Sequence, residues 1–140
     1  MSYLFDTNVV SELRKTKADP RVSRWASELR RHDVFLSVVT IREIEAGVLL
    51  VERRDRRQGA VLRTWLEEQV LAGYSDRILS IDIAVARRAA HLHVPDPRPE
   101  RDALIAATAT LHGLTVATRN VADFEHLGCD IFNPWSLSAT

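Results

Sequence analysis

Apolar runs alternate with helical patterns along the whole chain. Five short runs rich in β-branched and aromatic residues predict strands: YLF, VFLSVV, RILSI, LTVAT and CDIF, which begin at Tyr3, Val34, Arg77, Leu114 and Cys129. Between them, apolar residues recur at helical spacing. Because strands alternate with helices, the pattern predicts a mostly parallel sheet covered on both faces, a three-layer α/β/α sandwich.

Several helix ends carry clear signals. Asp82 is suited to cap the helix that begins IAVARR, and Gly113 is suited to stop the apolar helix DALIAATATLH. A longer amphipathic helix is predicted from Gln58 to Gly73. No repeat or linker interrupts the pattern, so one domain is predicted over residues 1–140.

Composition and charge exclude several classes of protein. The chain is 46% hydrophobic and 27% charged with zero net charge, so it is not a polycation that binds nucleic acid by charge alone. No apolar run approaches the roughly 20 residues of a membrane helix, and no basic n-region of a signal peptide is present. The single cysteine, Cys129, fits a reducing compartment. We therefore expect a cytoplasmic location and no membrane partner.

Four acidic residues follow the predicted strands. Asp6 closes the first strand, Glu43 lies one helical turn after the second, Asp102 opens the helix before the fourth, and Asp123 follows the fourth. The carboxyl ends of parallel strands share one edge of a sheet, where α/β proteins bind their ligands. The sequence therefore predicts that these four carboxylates lie near one another.

Helix capping is the competing interpretation of the same acids. Thr40 to Glu43 and Asn120 to Asp123 both fit a capping box, and the other two acids could cap their helices. Capping, however, does not require charge, and clustered carboxylates repel one another unless a cation neutralises them. Oxygen ligands favour a hard ion such as Mg²⁺ or Mn²⁺. On this view the helix after the first strand is capped by Thr7 or Asn8, and Asp6 is left to bind metal.

Small residues at the same edge are suited to support such a site. Gly47 lies one helical turn after Glu43, where a missing side chain leaves room for a ligand. Hydroxyl and amide groups there can hold carboxylates in place. They belong to Thr7, Asn8, Ser37, Thr118 and Asn120.

The motifs DTNVVSEL, LSVVTIREIEAGV, DALIAATA and LTVATRNVADF, in this order, resemble the PIN domain. With the later FNPW they resemble, more narrowly, the VapC toxins of bacterial type II toxin–antitoxin pairs, including the FitB-like branch. The resemblance implies a five-stranded parallel sheet. It also carries the family's catalytic, metal-binding quartet onto four acids and its supporting positions onto three polar residues: Asp6, Glu43, Asp102 and Asp123, with Asn8, Thr118 and Asn120.

The segment before the third acid departs from the family pattern. Family members often have a glycine-containing turn there, whereas this chain has VPDPRPER. Asp96 and Glu100 are therefore alternatives to Asp102, which we prefer because it directly precedes ALIAATA.

The resemblance implies a Mg²⁺- or Mn²⁺-dependent endoribonuclease that cuts tRNA or rRNA and inhibits translation. It implies a cognate VapB-like antitoxin, a homodimer or a toxin–antitoxin hetero-oligomer, and contact with operator DNA only through the antitoxin. Metal-activated water is the expected nucleophile, with Glu43 as ligand or base. Arg42, Arg101 and Arg119 could clamp phosphate, or could simply be solvated helix residues.

Two other functions fit parts of the pattern. A Mg²⁺-dependent phosphohydrolase of the haloacid dehalogenase type expects D-x-D after the first strand, but the second position here is Asn8. A non-catalytic, receiver-like binding module expects a phosphoacceptor aspartate after the third strand, where Asp82 is the one candidate. In a plain binding module the acids would only cap helices.

Overall fold

The computed structural model describes residues 1–136, so the last four residues of the predicted domain lie outside the described residues. The strands are β1 (Tyr3–Phe5), β2 (Val34–Ser37), β3 (Ile78–Leu79), β4 (Thr115–Ala117) and β5 (Ile131–Phe132). The helices are α1 (Thr7–Arg14), α2 (Pro20–Ser27), α3 (Val38–Arg54), α4 (Arg56–Thr64), α5 (Ile83–Leu92) and α6 (Glu100–His112). Short 3₁₀ turns cover Arg31–Asp33, Val121–Asp123 and Pro134–Ser136.

The five strands form one parallel sheet in the order β3-β2-β1-β4-β5, as the alternation of elements predicts. The chain builds outward from β1 to β2 and β3, and then returns to the other side of β1 as β4. The strand order therefore reverses between β1 and β4, where the carboxyl ends of open α/β sheets form a crevice. Phe5 and Ala117 are paired across this junction.

Alternating strand residues enter separate apolar clusters on the two faces of the sheet. Tyr3 and Phe5 pack with apolar residues of α1 to α4, whereas Leu4 packs with α6 and the segment after β4. The strands are short, but they are covered on both sides, which explains why their residues are apolar on both faces. The predicted three-layer α/β/α arrangement is confirmed.

Strand β2 is shorter than the sequence indicates. The strand ends at Ser37, whose hydroxyl accepts a hydrogen bond from Val39 N at 3.0 Å and so caps α3. Val38 and Val39 are helical, and Thr40 lies inside the first turns of α3. The capping box from Thr40 to Glu43 is therefore wrong, because the true cap lies three residues earlier and leaves the Glu43 side chain free for other contacts.

The amphipathic segment after α3 begins earlier than predicted. Asp55 caps α4, which starts at Arg56 and continues as π-helix through Trp65–Leu71. Asp82 caps α5 through Val85 N, and Gly113 ends α6 with a left-handed φ of 65°, both as predicted. Within residues 1–136, no helix has the length and apolar character that crossing a membrane requires.

Candidate active site

Asp6 lies at the end of β1, fully buried at the reversal of strand order. Its backbone N–H continues the sheet by donating to Ala117 O at 2.9 Å. Its Oδ1 accepts from Thr7 N at 2.8 Å and its Oδ2 from Thr118 Oγ1 at 2.7 Å. Asp6 is thus itself the N-cap of α1, and the assignment of that cap to Thr7 or Asn8 was wrong. The same carboxylate caps the helix and faces the site.

Glu43 reaches the same edge of the sheet from α3. Its Oε1 accepts a hydrogen bond from Thr7 Oγ1. Its Oε1 and Oε2 also accept from Arg101 Nη2 and Nε, at 2.9 and 2.7 Å. Thr7 is therefore a site residue and does not simply belong to the turn, because its hydroxyl links the start of α1 to α3.

Asp102 lies in the first turn of α6 and is buried. It does not cap the helix, since Pro99 holds the N-cap position. Its Oδ1 accepts from Arg101 Nη1 at 2.9 Å. Arg101 also donates to Asp6 through Nη2. Three carboxylates from three elements thus surround one guanidinium, and we name Asp6, Glu43 and Asp102 the acidic cluster.

Asp123 lies at the rim of the acidic cluster. It closes the short 3₁₀ turn after β4, is exposed, and lines a cavity of about 200 Å³ together with Asp102. The capping pattern from Asn120 to Asp123 forms no side-chain cap. Asp123 therefore lies beside Asp102 at this cavity, whereas Arg101 forms its ion pairs with Asp6, Glu43 and Asp102.

The two alternatives to Asp102 take other positions. Glu100 Oε2 lies 3.2 Å from His93 Nε2, and its side chain is 74% exposed. Asp96 is exposed in the connection between α5 and α6. Within residues 1–136 neither side chain forms an ion pair with Arg101, so Asp102 is the acid that joins the cluster from this part of the chain.

Burial and charge act differently on the members of the cluster. Burial opposes the ionised form of Glu43, but hydrogen bonds from Arg101 and Thr7 outweigh it and lower the pKa of Glu43. Burial raises the pKa of Asp102, and the neighbouring Asp123 and Asp6 charges reinforce that effect against Arg101. Asp102 is the more buried of the two, with a side chain 9% exposed against 30% for Glu43. Burial also opposes the charge of Arg101, yet the three carboxylates raise its pKa.

The supporting polar residues differ in how they meet the cluster. Asn8 Nδ2 lies 3.4 Å from Asp6 Oδ2 and 3.3 Å from Thr118 Oγ1, and Asn8 Oδ1 accepts from Arg119 N. Thr118 donates to Asp6 and accepts from the backbone N–H of Asn120 at 3.0 Å. Asn8 and Thr118 therefore orient Asp6 directly, while Asn120 acts through its backbone.

A cavity of about 230 Å³ adjoins the cluster on the α3 side. Thr7, Glu43 and Gly47 line it together with Arg14 and Trp65. No heavy atom lies within 4 Å of the position that a Cβ on Gly47 would take. Gly47 therefore leaves open space beside Glu43, as its spacing predicts.

Arg101 is the residue whose position the sequence did not reveal. Of the three arginines considered for phosphate, Arg42 and Arg119 are exposed, and Arg119 stacks over Trp135 at 5.4 Å. Arg101 instead turns into the acidic cluster, although its place in a polar first turn suggests a solvated side chain. Its one sequence signal is adjacency to Asp102, which is too common a pattern to be specific.

Comparison with known proteins identifies one family for the chain. The PIN domain family matches residues 3–128. The VapC ribonuclease Y4jK of Sinorhizobium fredii is 35% identical over 94% of this chain and 96% of its own length. Toxin FitB of Neisseria gonorrhoeae is 38% identical over 94% of this chain and 97% of its own.

Solved structures agree with these sequence relationships. FitAcB from Neisseria gonorrhoeae contains a chain that is 36% identical and superposes with a TM-score of 0.88, over 96% of this chain and 99% of that one. A toxin–antitoxin complex from Klebsiella pneumoniae contains a chain that is 25% identical, with a TM-score of 0.67 over 97% of this chain and 100% of its own. The chain therefore belongs to the PIN domain family and, within it, to the VapC and FitB toxins.

Proposed function

We propose that the chain is a Mg²⁺- or Mn²⁺-dependent endoribonuclease that acts as the toxin of a type II toxin–antitoxin pair. The observation that carries the proposal is the acidic cluster, in which carboxylates of β1, α3 and α6 meet around one cation at the reversal of strand order. Helix capping accounts for one bond of Asp6 and for none of the contacts of Glu43 or Asp102.

The donor set fits a hard divalent metal ion. Every side-chain donor of the cluster is a carboxylate oxygen, which is the ligand type that Mg²⁺ and Mn²⁺ prefer. The three acids already share a positively charged partner in Arg101, which supports the proposal of a cation among them. We assign Asp6, Glu43, Asp102 and Asp123 as the residues that would hold the metal.

The chemistry follows from the arrangement of the residues. A bound metal supplies Lewis acidity, which lowers the pKa of water and offsets negative charge on a phosphodiester. Asp6 is held rigid by Thr7 and Thr118, whereas Glu43 is partly exposed at the cavity that Gly47 opens. We therefore assign Glu43 as the residue that orients the attacking water and accepts its proton.

Two competing functions lose support. The Asn8 side chain is an amide, which donates a hydrogen bond toward Asp6 but cannot act as a general acid. A phosphohydrolase of the haloacid dehalogenase type expects aspartate at this position, so Asn8 argues against that function. Asp82, the phosphoacceptor that a receiver-like module needs, caps α5 through Val85 N and follows the edge strand β3. That position is separated from Asp6 by β2.

The names of the relatives support the proposal of an antitoxin partner and of RNA as the substrate. One relative is named a VapC ribonuclease, another a FitB toxin, and a third structure is a toxin–antitoxin complex. We propose a VapB-like antitoxin as partner, a dimer or hetero-oligomer as the assembly, and operator DNA contact through the antitoxin alone. From the family resemblance we further propose tRNA or rRNA as the substrate, a cytoplasmic location and inhibition of translation as the outcome.

Cleavage of RNA by the purified protein tests the proposal. We expect cleavage with Mg²⁺ or Mn²⁺, none with a chelator, and a loss of at least ~100-fold in Asp6→Asn, since even losing a residue that supports a metal ligand costs about 10–100-fold. Asparagine keeps the N-cap bond of α1, so the variant should fold.

Asp130→Asn is the matched control. Asp130 directly precedes β5 and is exposed. It therefore lies at the amino end of its strand, whereas the acidic cluster lies at the carboxyl ends of the strands. This variant should cleave as the wild type does. A folded Asp6→Asn variant that cleaves at the wild-type rate would show that the acidic cluster is not the nuclease centre.

A further inference from the structure

The guanidinium of Arg101 fills the space between the carboxylates of the acidic cluster. It makes four hydrogen bonds to them, two with Glu43, one with Asp102 and one with Asp6. Within residues 1–136, no three His, Cys, Asp or Glu side chains stand in a geometry ready to hold a metal ion. The acids are gathered around the arginine, and their oxygens point at its nitrogens.

The position of this arginine is costly without its partners. Arg101 is the second residue of α6, and a cation in the first turn of a helix is disfavoured by the helix dipole. Burial of the guanidinium opposes its charge as well. Neither the helix nor the surrounding solvent favours this placement, so the three carboxylates must provide the stabilisation. In return, Arg101 offsets the mutual repulsion of three negative charges.

We propose that Arg101 is the built-in counter-ion of the metal-free site, and that a divalent metal ion binds by exchange with its guanidinium. This inference rests on the proposed function, because the metal is the one assigned there. The exchange follows from chemistry, since the ion and the guanidinium need the same carboxylate oxygens. The Arg101 side chain is 31% exposed, so it has a path to solvent by rotation about its own bonds.

The exchange has two consequences for the protein without RNA. Arg101 stabilises the metal-free fold, because removing it leaves the buried carboxylates of Asp6 and Asp102 without a positively charged partner. It also weakens metal binding, because each ion must first replace charge-assisted hydrogen bonds. One side chain therefore sets both the stability of the metal-free protein and the metal concentration at which the site fills.

Titration of the metal-free protein with Mn²⁺ in a calorimeter tests the exchange. Arg101→Met removes the charge and keeps the bulk, and we expect it to bind Mn²⁺ at least ~10-fold more tightly than the wild type, equivalent to about 1.4 kcal/mol. In chelator, its melting temperature should fall by about 5 °C or more, as loss of the counter-ion requires.

Arg42→Met is the matched control. Arg42 is exposed and adjacent to Glu43 on α3, so its removal takes one positive charge from the neighbourhood without uncovering a carboxylate. Its Mn²⁺ affinity should rise by less than ~3-fold, because solvent and salt screen exposed charges. A folded Arg101→Met variant that binds Mn²⁺ no more tightly than Arg42→Met overturns the proposal.

A measurement on the wild type covers the case in which Arg101→Met does not fold. The Nε–H of Arg101 is held by Glu43 Oε2 at 2.7 Å, so its NMR signal should be protected from exchange with water in chelator. Saturating Mg²⁺ should remove that protection, and a signal unchanged at saturation overturns the exchange. RNA is absent from both measurements, so failure of RNA cleavage would leave their result standing, and the reverse also holds.

Discussion

Glu43 and Asp102 contact the same guanidinium but contribute to stability with opposite sign. The pKa of Glu43 is lowered, so its ionised form favours the folded protein at pH above its unfolded value of 4.5, and that contribution is lost as pH falls through the folded pKa. The pKa of Asp102 is raised, so its ionisation costs stability, and the cost disappears as pH falls below 3.8. The ionised carboxylate of Asp102 therefore lowers the free energy of unfolding, but its position beside Asp6 and Glu43 is the one that the proposed metal site requires.

This difference predicts opposite effects of two neutral substitutions in metal-free protein. At pH 7, Glu43→Gln should lower the free energy of unfolding by about 1–2 kcal/mol, because charge-assisted bonds from Arg101 and Thr7 are weakened. Asp102→Asn should raise it. The effect of Glu43→Gln should shrink as the pH falls below 4.5 through the lowered pKa of Glu43, and the effect of Asp102→Asn should disappear below pH 3.8, as measured by urea unfolding in chelator. An Asp102→Asn variant less stable than the wild type at pH 7 would contradict this reading of the cluster.

The identities of the acids were predictable from the sequence, whereas their common partner was not. Asp6, Glu43 and Asp102 stand out because each follows a strand or opens a buried helix. Arg101 gives no comparable signal, since an arginine in a first turn ordinarily points to solvent. Its contacts with Asp6 and Glu43 depend on two segments that are distant in sequence. The contact of Thr7 with Glu43 was missed for the same reason, as it joins residues 36 positions apart.

At the scale of elements, the glycines of α3 and α4 have opposite surroundings, one open and one tightly packed. Gly47 on α3 faces open space in the cavity beside Glu43. Gly59 on α4 is buried, and a Cβ there would lie 2.5 Å from the Cα of Glu52. The first glycine keeps a cavity open, and the second allows α3 and α4 to pack closely.

The same substitution should therefore change stability in opposite directions. Gly47→Ala should raise the free energy of unfolding by about 0.5–1 kcal/mol, because alanine is the better helix former and nothing obstructs its methyl group. Gly59→Ala should lower it by about 1–3 kcal/mol through overpacking. Urea unfolding of both variants at neutral pH measures the two effects. Stabilisation by both substitutions, or by neither, would contradict the packing described for these helices.

Element types were predictable to a greater degree than element ends. The caps at Asp82 and Gly113 were predicted because aspartate just before a helical pattern and glycine just after one are common at helix ends. The end of β2 was not, because SVV suits a strand by propensity and becomes helical only when Ser37 caps α3. The start of α4 at Arg56 likewise depends on a turn at Asp55, which a run of charged residues does not reveal.

At the scale of the whole molecule, topology brings distant acids together. Asp6 and Asp102 are separated by about two thirds of the chain, yet β1 and α6 meet at the reversal of strand order beside β4. The sandwich could be predicted from the alternation of elements, and the edge of the site from the rule for parallel sheets. The proposed nuclease activity depends on that geometry and on attack by metal-activated water, which does not require the 2′-hydroxyl of the RNA.

The chemical nature of the RNA ends tests this central claim most directly. Attack by water leaves a 5′-phosphate and a 3′-hydroxyl, and it does not use the RNA 2′-hydroxyl. We predict those ends in products formed with Mg²⁺, and continued cleavage when the 2′-hydroxyl at the cut linkage is replaced by hydrogen. Products ending in a 2′,3′-cyclic phosphate and a 5′-hydroxyl would contradict the assignment of the acidic cluster as a centre that activates water.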